Sequence, residues 1–416
     1  MSGKWGIHCG RFALAILLVT LALVSHALTF QEALDIAESR ASEIKARQNT
    51  VAAAQAARIS AGELPDPKLV MGVDNLPVQG SEAWNTTRDF MTMQRVGVMQ
   101  EITHGDKRQA ARQLAEANVA RAGAELEIER LSVKRQTLLA WLKVYFLQQQ
   151  SLLLDQIDTE NHLLHTAVIA RLAAGQGKGG DSLQSRQEAV ALEDRRDDLN
   201  RDLRKAQADL ARWIGSAANK PLTGTPPTYT PSAEHLRHDL ERHPDLAIFN
   251  VREASARAEV AMAEAAKKSD WGVEMDYQHR GPAFGDMVSV QLTFDLPVFA
   301  QTRQNPQIAA RQQELERVSA ERESMMRQHV AELETMIAEQ ATLGRQIERM
   351  DRDWLPLGQQ KVDLALADYR AGKEPLPTVL EARRFLIDTR MKRIDLVARR
   401  AVVETELRYL SEDVQP

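Results

Sequence analysis

Two kinds of hydrophobic pattern alternate along this chain. In long stretches, as from Leu114 to Tyr145 and from Leu315 to Trp354, apolar and small residues recur at spacings of three and four. These spacings trace the seam of helices that pack side by side. Shorter stretches alternate between apolar and polar residues, which is the period of a strand with one apolar face. The pattern therefore predicts a mainly α-helical protein with a small amount of β-sheet.

Four stretches show the strand period, and the last two show it most clearly. We expect strands at about 67–75, 91–102, 271–279 and 287–296. Strands of about 9 to 11 residues suit a transmembrane barrel, although two soluble hairpins on a core have the same period. No stretch after the N-terminus has the length of a membrane-spanning helix, so a membrane crossing would use these strands. Four strands cannot close a barrel, which predicts self-association.

The two halves of the chain repeat one order of elements: helix, two strands, very long helix, turn, shorter helix. An alignment without a gap pairs Gly175 with Gly372, Leu183 with Leu380, and Arg186 with Arg383. The period is far longer than the roughly 20 to 50 residues of solenoid repeats. We predict repeats at 28–214 and 244–416, a connector at 215–243, and hairpin tips at about 173–182 and 371–378.

Local signals refine the helices. Thr29, with Glu32 three residues later, forms a capping-box pattern that opens a helix to about Gly62. The first long helix is expected at about 107–172, with a length near 100 Å at about 1.5 Å per residue. In the second half, Pro356 predicts that the matching helix kinks or ends early.

The N-terminus has the parts of a secretory signal peptide. Lys4 and Arg11 precede an apolar run at 12–24, and Ala27 completes a small-residue cleavage site. The alternative, a membrane anchor, requires about 20 apolar residues, which the run does not reach. We therefore expect the protein to be exported and residues 1–27 to be removed by cleavage after Ala27. Cys9, the only cysteine, would leave with this segment.

Charge and motifs exclude several functions. Loss of Lys4 and Arg11 changes the net charge from -5 to -7, which disfavours a nucleic-acid partner. No nucleophile elbow, zinc-protease motif or carboxylate pair in a plausible cleft is present, so we expect neither an enzyme nor a cofactor.

Methionine and histidine clusters are the candidates for metal binding. The methionines are Met71, Met91, Met93 and Met99, and the histidines are His162, His165, His235, His238 and His243. Thioethers suit soft ions, but methionine more often fills apolar surface. No carboxylate or cysteine completes a histidine site in the sequence pattern. We therefore interpret the histidines as solvated helix residues and assign no metal site.

The segment from Leu28 to Leu34, Leu-Thr-Phe-Gln-Glu-Ala-Leu, resembles the opening of TolC-family outer-membrane efflux proteins. The two glycine turns, with the Asp181-Ser182-Leu183 and Val379-to-Arg383 segments that follow them, resemble that family's periplasmic tip motif. The stretches at 64–68, 74–77 and 88–93 resemble the subgroup that serves heavy-metal efflux pumps of the resistance-nodulation-division type. The resemblance covers the mature chain.

This resemblance implies a homotrimer with a twelve-stranded β-barrel in the outer membrane, four strands per chain, continued by a trimeric α-barrel across the periplasm. It implies partners in a periplasmic adaptor, an inner-membrane pump and outer-membrane lipid. The docking tips would include Gly175, Gly372, Leu183 and Leu380. The periplasmic entrance would include Glu381, Thr378, Asp181 and Gln184, although Thr378 departs from the family's usual acid. The alternative is a periplasmic adaptor or an exported coiled-coil scaffold, but adaptors carry one long hairpin where this sequence predicts two.

Overall fold

The computed structural model describes residues 27–176, 178–229 and 232–410. The expected signal peptide lies outside the described residues except for Ala27. The described part contains the helices α1 (Phe30–Arg40), α2 (Ser42–Ser60), α3 (Gly105–Ala173), α4 (Gly179–Ile214), α5 (Ala233–Asp239), α6 (Pro244–Ala265), α7 (Gln304–Arg349), α8 (Leu355–Arg370) and α9 (Leu376–Leu410). Its strands are β1 (Lys68–Asp74), β2 (Met93–Ile102), β3 (Trp271–His279) and β4 (Met287–Phe294).

The first helix begins as predicted and then breaks. The hydroxyl of Thr29 accepts from the backbone N–H of Glu32, and the Glu32 carboxylate accepts from the backbone N–H of Thr29. The single helix expected to run to Gly62 is wrong, because Ala41 leaves the helical region with a ψ of 117° and separates α1 from α2. Alanine is the best helix former, so the break is not set by local preference. Ala33 and Ala37 of α1 are fully buried, which shows that α1 packs onto its neighbours before the chain turns into α2.

The two long helices reach similar lengths by different routes. α3 is continuous over 69 residues, about 100 Å at 1.5 Å per residue. Its counterpart runs through α7, one π-helical turn at Met350–Trp354, and α8. Of the two outcomes expected at Pro356, a kink or an early end, the early end does not occur, because the helix continues to Arg370. The backbone N–H of Leu355 bonds to the carbonyl of Met350, and this wider turn accommodates a proline that lacks an N–H.

The four strands form one antiparallel sheet in the order β1-β2-β3-β4. One row across it joins Met71, Val96, Tyr277 and Val288 as direct neighbours. All four side chains are exposed, and because side chains alternate along a strand they share one face of the sheet. The sheet therefore has an apolar face that none of the described residues covers.

Several apolar clusters hold the helices together. Trp141 of α3, fully buried, contacts Phe30 edge-on at 6.2 Å and stacks on Tyr145 at 5.1 Å between ring centroids. Another cluster lies near the tips, where Leu164 of α3 packs with Leu376 of α9. Among the described residues, no helix combines the length and apolar character needed to span a membrane. The predicted fold class, mainly α with a small sheet inserted between long helices, is confirmed.

Candidate functional site

The predicted tips are two turns of the same backbone geometry. Gly175 and Gly372 have φ values of 71° and 72°. In each turn the glycine N–H donates to the backbone carbonyl three residues earlier, which is Leu172 in the first tip and Tyr369 in the second. The N–H of the next residue donates to the carbonyl five residues before it, which is Arg171 in the first tip and Asp368 in the second. This is the Schellman ending of a helix, in which a left-handed residue satisfies the last carbonyls. An added Cβ would contact nothing within 4 Å at either glycine, so the turns need glycine for its conformation and not for space.

Asp181 closes the first tip. Its carboxylate accepts from the backbone N–H of Lys178 at 3.3 Å, and its own N–H donates to the Lys178 carbonyl at 2.9 Å. The residue is only 8% exposed. A carboxylate in the first helical turn also interacts favourably with the helix dipole. Asp181, predicted at the entrance, therefore stabilises the start of α4.

Glu381 and Thr378 lie differently at the second tip. The side chain of Glu381 is 79% exposed, and its nearest cation is Lys361 of α8 at 3.7 Å. The hydroxyl of Thr378 donates to the Glu374 carboxylate at 3.2 Å. An exposed ion pair such as Glu381–Lys361 contributes little to stability. Glu381 therefore keeps its charge available to the solvent next to the turn.

The two tips touch each other within one chain. Arg171, at the end of α3, donates to the backbone carbonyl of Tyr369 at 3.0 Å and lies over its ring at 4.5 Å. Burial, together with the nearby charge of Asp181, raises the pKa of Tyr369. The hydroxyl of Tyr369 and Oε1 of the half-buried Gln184 are enclosed without a hydrogen-bond partner in the described part of the chain. The residues predicted for the entrance and the tips thus gather at one end of the molecule.

The two predicted docking leucines are not equivalent. Leu380 is 5% exposed and packs in the cluster near the tips, whereas Leu183 is 66% exposed. A large apolar side chain exposed beside a hairpin turn is available to another protein surface. Leu183 has this property and Leu380 does not.

The sheet carries a polar cluster that the sequence pattern did not reveal. Arg95 of β2 lies 3.5 Å from Glu274, 3.6 Å from Asp74 and 3.9 Å from Asp276. These residues share the face opposite the apolar one. The alternation placed Glu274 and Asp276 on the polar face, but only the strand register brings Arg95 between them and Asp74. This face is polar, charged and partly enclosed.

The metal candidates are dispersed. Met71 lies on the apolar face and Met93 and Met99 on the polar face, while Met91 is in the preceding loop. The ring Nδ1 of His165 contacts the Ser185 hydroxyl at 2.7 Å.

The other histidines considered for metal binding differ in their exposure to solvent. His162, His235 and His238 are exposed, whereas His243 is buried. The interpretation of His243 as a solvated helix residue is wrong, because it caps α6 inside a junction of helices.

Comparison with known proteins shows the fold, and one family model matches part of the chain. Residues 236–411 match the family model described as Outer membrane efflux protein. No curated protein sequence matches the chain significantly.

Solved structures match over nearly the whole length. CusC, described in a study of folding and transmembrane channel formation, has a TM-score of 0.79 at 15% identity and covers 92% of each chain. The outer membrane protein VceC of Vibrio cholerae has 0.75 at 17%, with 92% of this chain and 95% of VceC covered. The outer membrane channel CmeC of Campylobacter jejuni has 0.76 at 11%, with 100% and 96% covered. At these identities the likeness establishes the fold.

Proposed function

We propose that this chain is the exit duct of a tripartite efflux system. Residues 236–411 match the family model described as Outer membrane efflux protein, and the fold is shared with solved outer membrane channels. The chain would act as a passive channel and not as an enzyme. Two repeats, 28–214 and 244–416, would be joined by the connector 215–243. The observation that carries the proposal is a four-stranded sheet with an uncovered apolar face, placed between two pairs of long helices.

The sheet supports assembly in the outer membrane. β1 and β4 are its edges, and each edge leaves backbone donors and acceptors for another strand. The apolar face meets the acyl chains in this proposal, and the polar face with Arg95 lines the pore. Pairing of β4 with β1 of the next copy removes all edges when three chains close a twelve-stranded barrel. The long helices continue as an α-barrel into the periplasm, where the tips meet an adaptor bound to an inner-membrane pump.

A pair of substitutions on β4 tests the barrel. Val290 is 61% exposed on the apolar face, and Gln291 is on the opposite face. Arginine at a lipid-facing position costs about 2 to 4 kcal/mol at the midplane. Val290→Arg is therefore expected to abolish heat-resistant trimers in outer-membrane extracts, and Gln291→Arg to retain them. Equal amounts of trimer from both variants, or a monomer in the soluble periplasm, would overturn the proposal.

We further propose heavy-metal cations as the exported substrate and a resistance-nodulation-division pump as the energy source. The resemblance at 64–68, 74–77 and 88–93 supports this, as does the acidic character of the polar sheet face, where three carboxylates surround one guanidinium. Expression with a metal-exporting resistance-nodulation-division pump and its adaptor, in a strain that lacks the pump's own outer-membrane channel, should restore growth on metal salts. Restored growth on organic drugs alone would refute the metal assignment and leave the channel proposal intact.

A further inference from the structure

A buried histidine pair lies where three helices of the second half meet, far along the chain from both tips. His243 caps the N-terminus of α6, and His329 is in the middle of α7. Their ring centroids are 5.2 Å apart. The carbonyl of Tyr409, near the end of α9, contacts Nε2 of His243 at 2.8 Å. Each of the three helices therefore contributes to one small polar site inside an apolar junction.

The hydrogen bonds of His243 determine its tautomer. Nε2–H donates to the Tyr409 carbonyl, so the lone pair is on Nδ1. Nδ1 accepts the backbone N–H of Asp245 at 3.2 Å and lies 3.7 Å from its carboxylate. A carbonyl that holds the far nitrogen of an imidazole is the usual support of a metal-binding histidine. His243 thus presents a correctly oriented lone pair next to a carboxylate.

His329 is the unexplained member of the pair. Its side chain is 8% exposed, and neither ring nitrogen has a hydrogen-bond partner among the described residues. The nearest carboxylate oxygen, from Glu332, is 3.5 Å from Nδ1. A buried polar group without a partner is costly and calls for a specific reason, such as a bound ion.

We propose that His243, Asp245 and His329 bind a divalent transition-metal ion, with Zn²⁺ preferred. One ligand atom from each residue lies within 4.8 Å of the others. Two imidazoles and a carboxylate are a ligand set that Zn²⁺ accepts, and metal bonds of about 2.0 to 2.2 Å require only a modest contraction of the group. The ion takes the place of the backbone N–H at Nδ1 of His243.

The surroundings favour a bound cation. The nearby Arg135 is paired with Glu406 at 3.4 Å. The side chain of Asp245 is 42% exposed, which provides a path for the ion and an open position for water. Leu246, one turn after His243, and Leu333, one turn after His329, belong to one buried apolar cluster.

This site goes beyond the proposed export function, because the ion stays bound and joins α6 to α7, while α9 is connected to it through the Tyr409 carbonyl on His243. The experiment is calorimetric titration of the detergent-purified full chain with Zn²⁺. We expect one saturable site per chain and a higher melting temperature with Zn²⁺, since a ligand of the folded state stabilises it. Mg²⁺ should give neither effect.

His329→Leu should abolish the site without harming the fold, because it removes the unpartnered nitrogens. Glu332→Gln, which alters only a supporting carboxylate, should weaken binding about 10- to 100-fold. His162→Leu is the matched control, because His162 is exposed on α3, and it should bind Zn²⁺ like the parent. Equal binding by the parent and His329→Leu, or no saturable binding by the parent, would overturn the proposal. Neither result depends on channel activity.

Discussion

The first hairpin tip, at 174–178, and the second, at 371–375, share a turn and diverge immediately after it. Both contain a glycine with nearly the same positive φ and the same pair of closing hydrogen bonds. In the helix that follows, Leu183 is exposed and its counterpart Leu380 is buried. Likewise Arg186 is exposed, whereas Arg383 is 13% exposed and bonds to Glu160 at 3.3 Å.

The position of α9 explains this divergence. Arg383 ties α9 to α3 through Glu160, and Arg384 ties it to α4 through Glu188 at 2.6 Å. The returning helix of the second hairpin therefore lies against both helices of the first, and its apolar positions face the chain's own core. On α4, by contrast, the side chain of Leu183 points away from this core and is exposed to solvent. The second tip is thus held within the chain, whereas the first exposes a large apolar side chain to the solvent.

The leucine pair gives the largest expected contrast. Leu380→Ala creates a cavity in the cluster near the tips and should cost about 2 to 5 kcal/mol of unfolding free energy. Leu183→Ala should change stability by no more than about 0.5 kcal/mol, because its side chain is exposed. Denaturant midpoints of the purified protein measure the difference. Leu183→Ala should instead reduce cross-linking to the adaptor, and equal destabilisation by the two variants would contradict the comparison.

The arginine pair should show the same asymmetry on a smaller scale. Arg383→Ala leaves the Glu160 carboxylate and backbone carbonyl without this partner, a loss of about 1 to 3 kcal/mol for a hydrogen bond to a charged group. Arg186→Ala removes an exposed side chain and should be close to neutral. Limited proteolysis at the tips and thermal unfolding report both effects. A neutral Arg383→Ala would show that α9 is held by apolar packing alone.

The glycine pair tests what the tips share. A β-branched residue at φ near +70° is strained by roughly 1 to 2 kcal/mol, so Gly175→Val and Gly372→Val should lose similar amounts of stability. Both should weaken adaptor coupling while trimers remain in the membrane. Gly180→Ala, in the first turn of α4, is the control and should be neutral or slightly stabilising. Unequal losses would mean that the two turns are not equivalent.

The acidic pair should have the smallest effect on stability and a distinct effect on conduction. Glu381→Gln should leave stability unchanged but reduce cation selectivity and multivalent-cation block in planar bilayers, because rings of exposed acids favour cations. Asp181→Asn should cost about 1 kcal/mol through a weaker helix cap and change selectivity little. If instead Asp181→Asn alters selectivity and Glu381→Gln does not, the entrance is lined by the first tip.

Much of the fold was predictable because it depends on residues close in sequence. Period-two alternation located β3 at its observed bounds, and helical periodicity located α3 to within about two residues. Thr29 with Glu32 formed its capping box, and the tip glycines adopted the positive φ that such turns require. In each case the determining interaction spans at most one or two helical turns.

By itself, then, the sequence determined the order of helices and strands, the apolar face of the sheet and the place of the two turns. Only the tertiary structure decided that Leu380 is buried and Leu183 exposed, that Arg95 meets Asp74 and Glu274 across the register, and that His329 faces His243. Nothing local marks His329, a single histidine in a long polar helix. Burial and pairing depend on contacts between distant segments, and the free energy of those contacts is set by helix packing and strand register, which no short window of sequence contains.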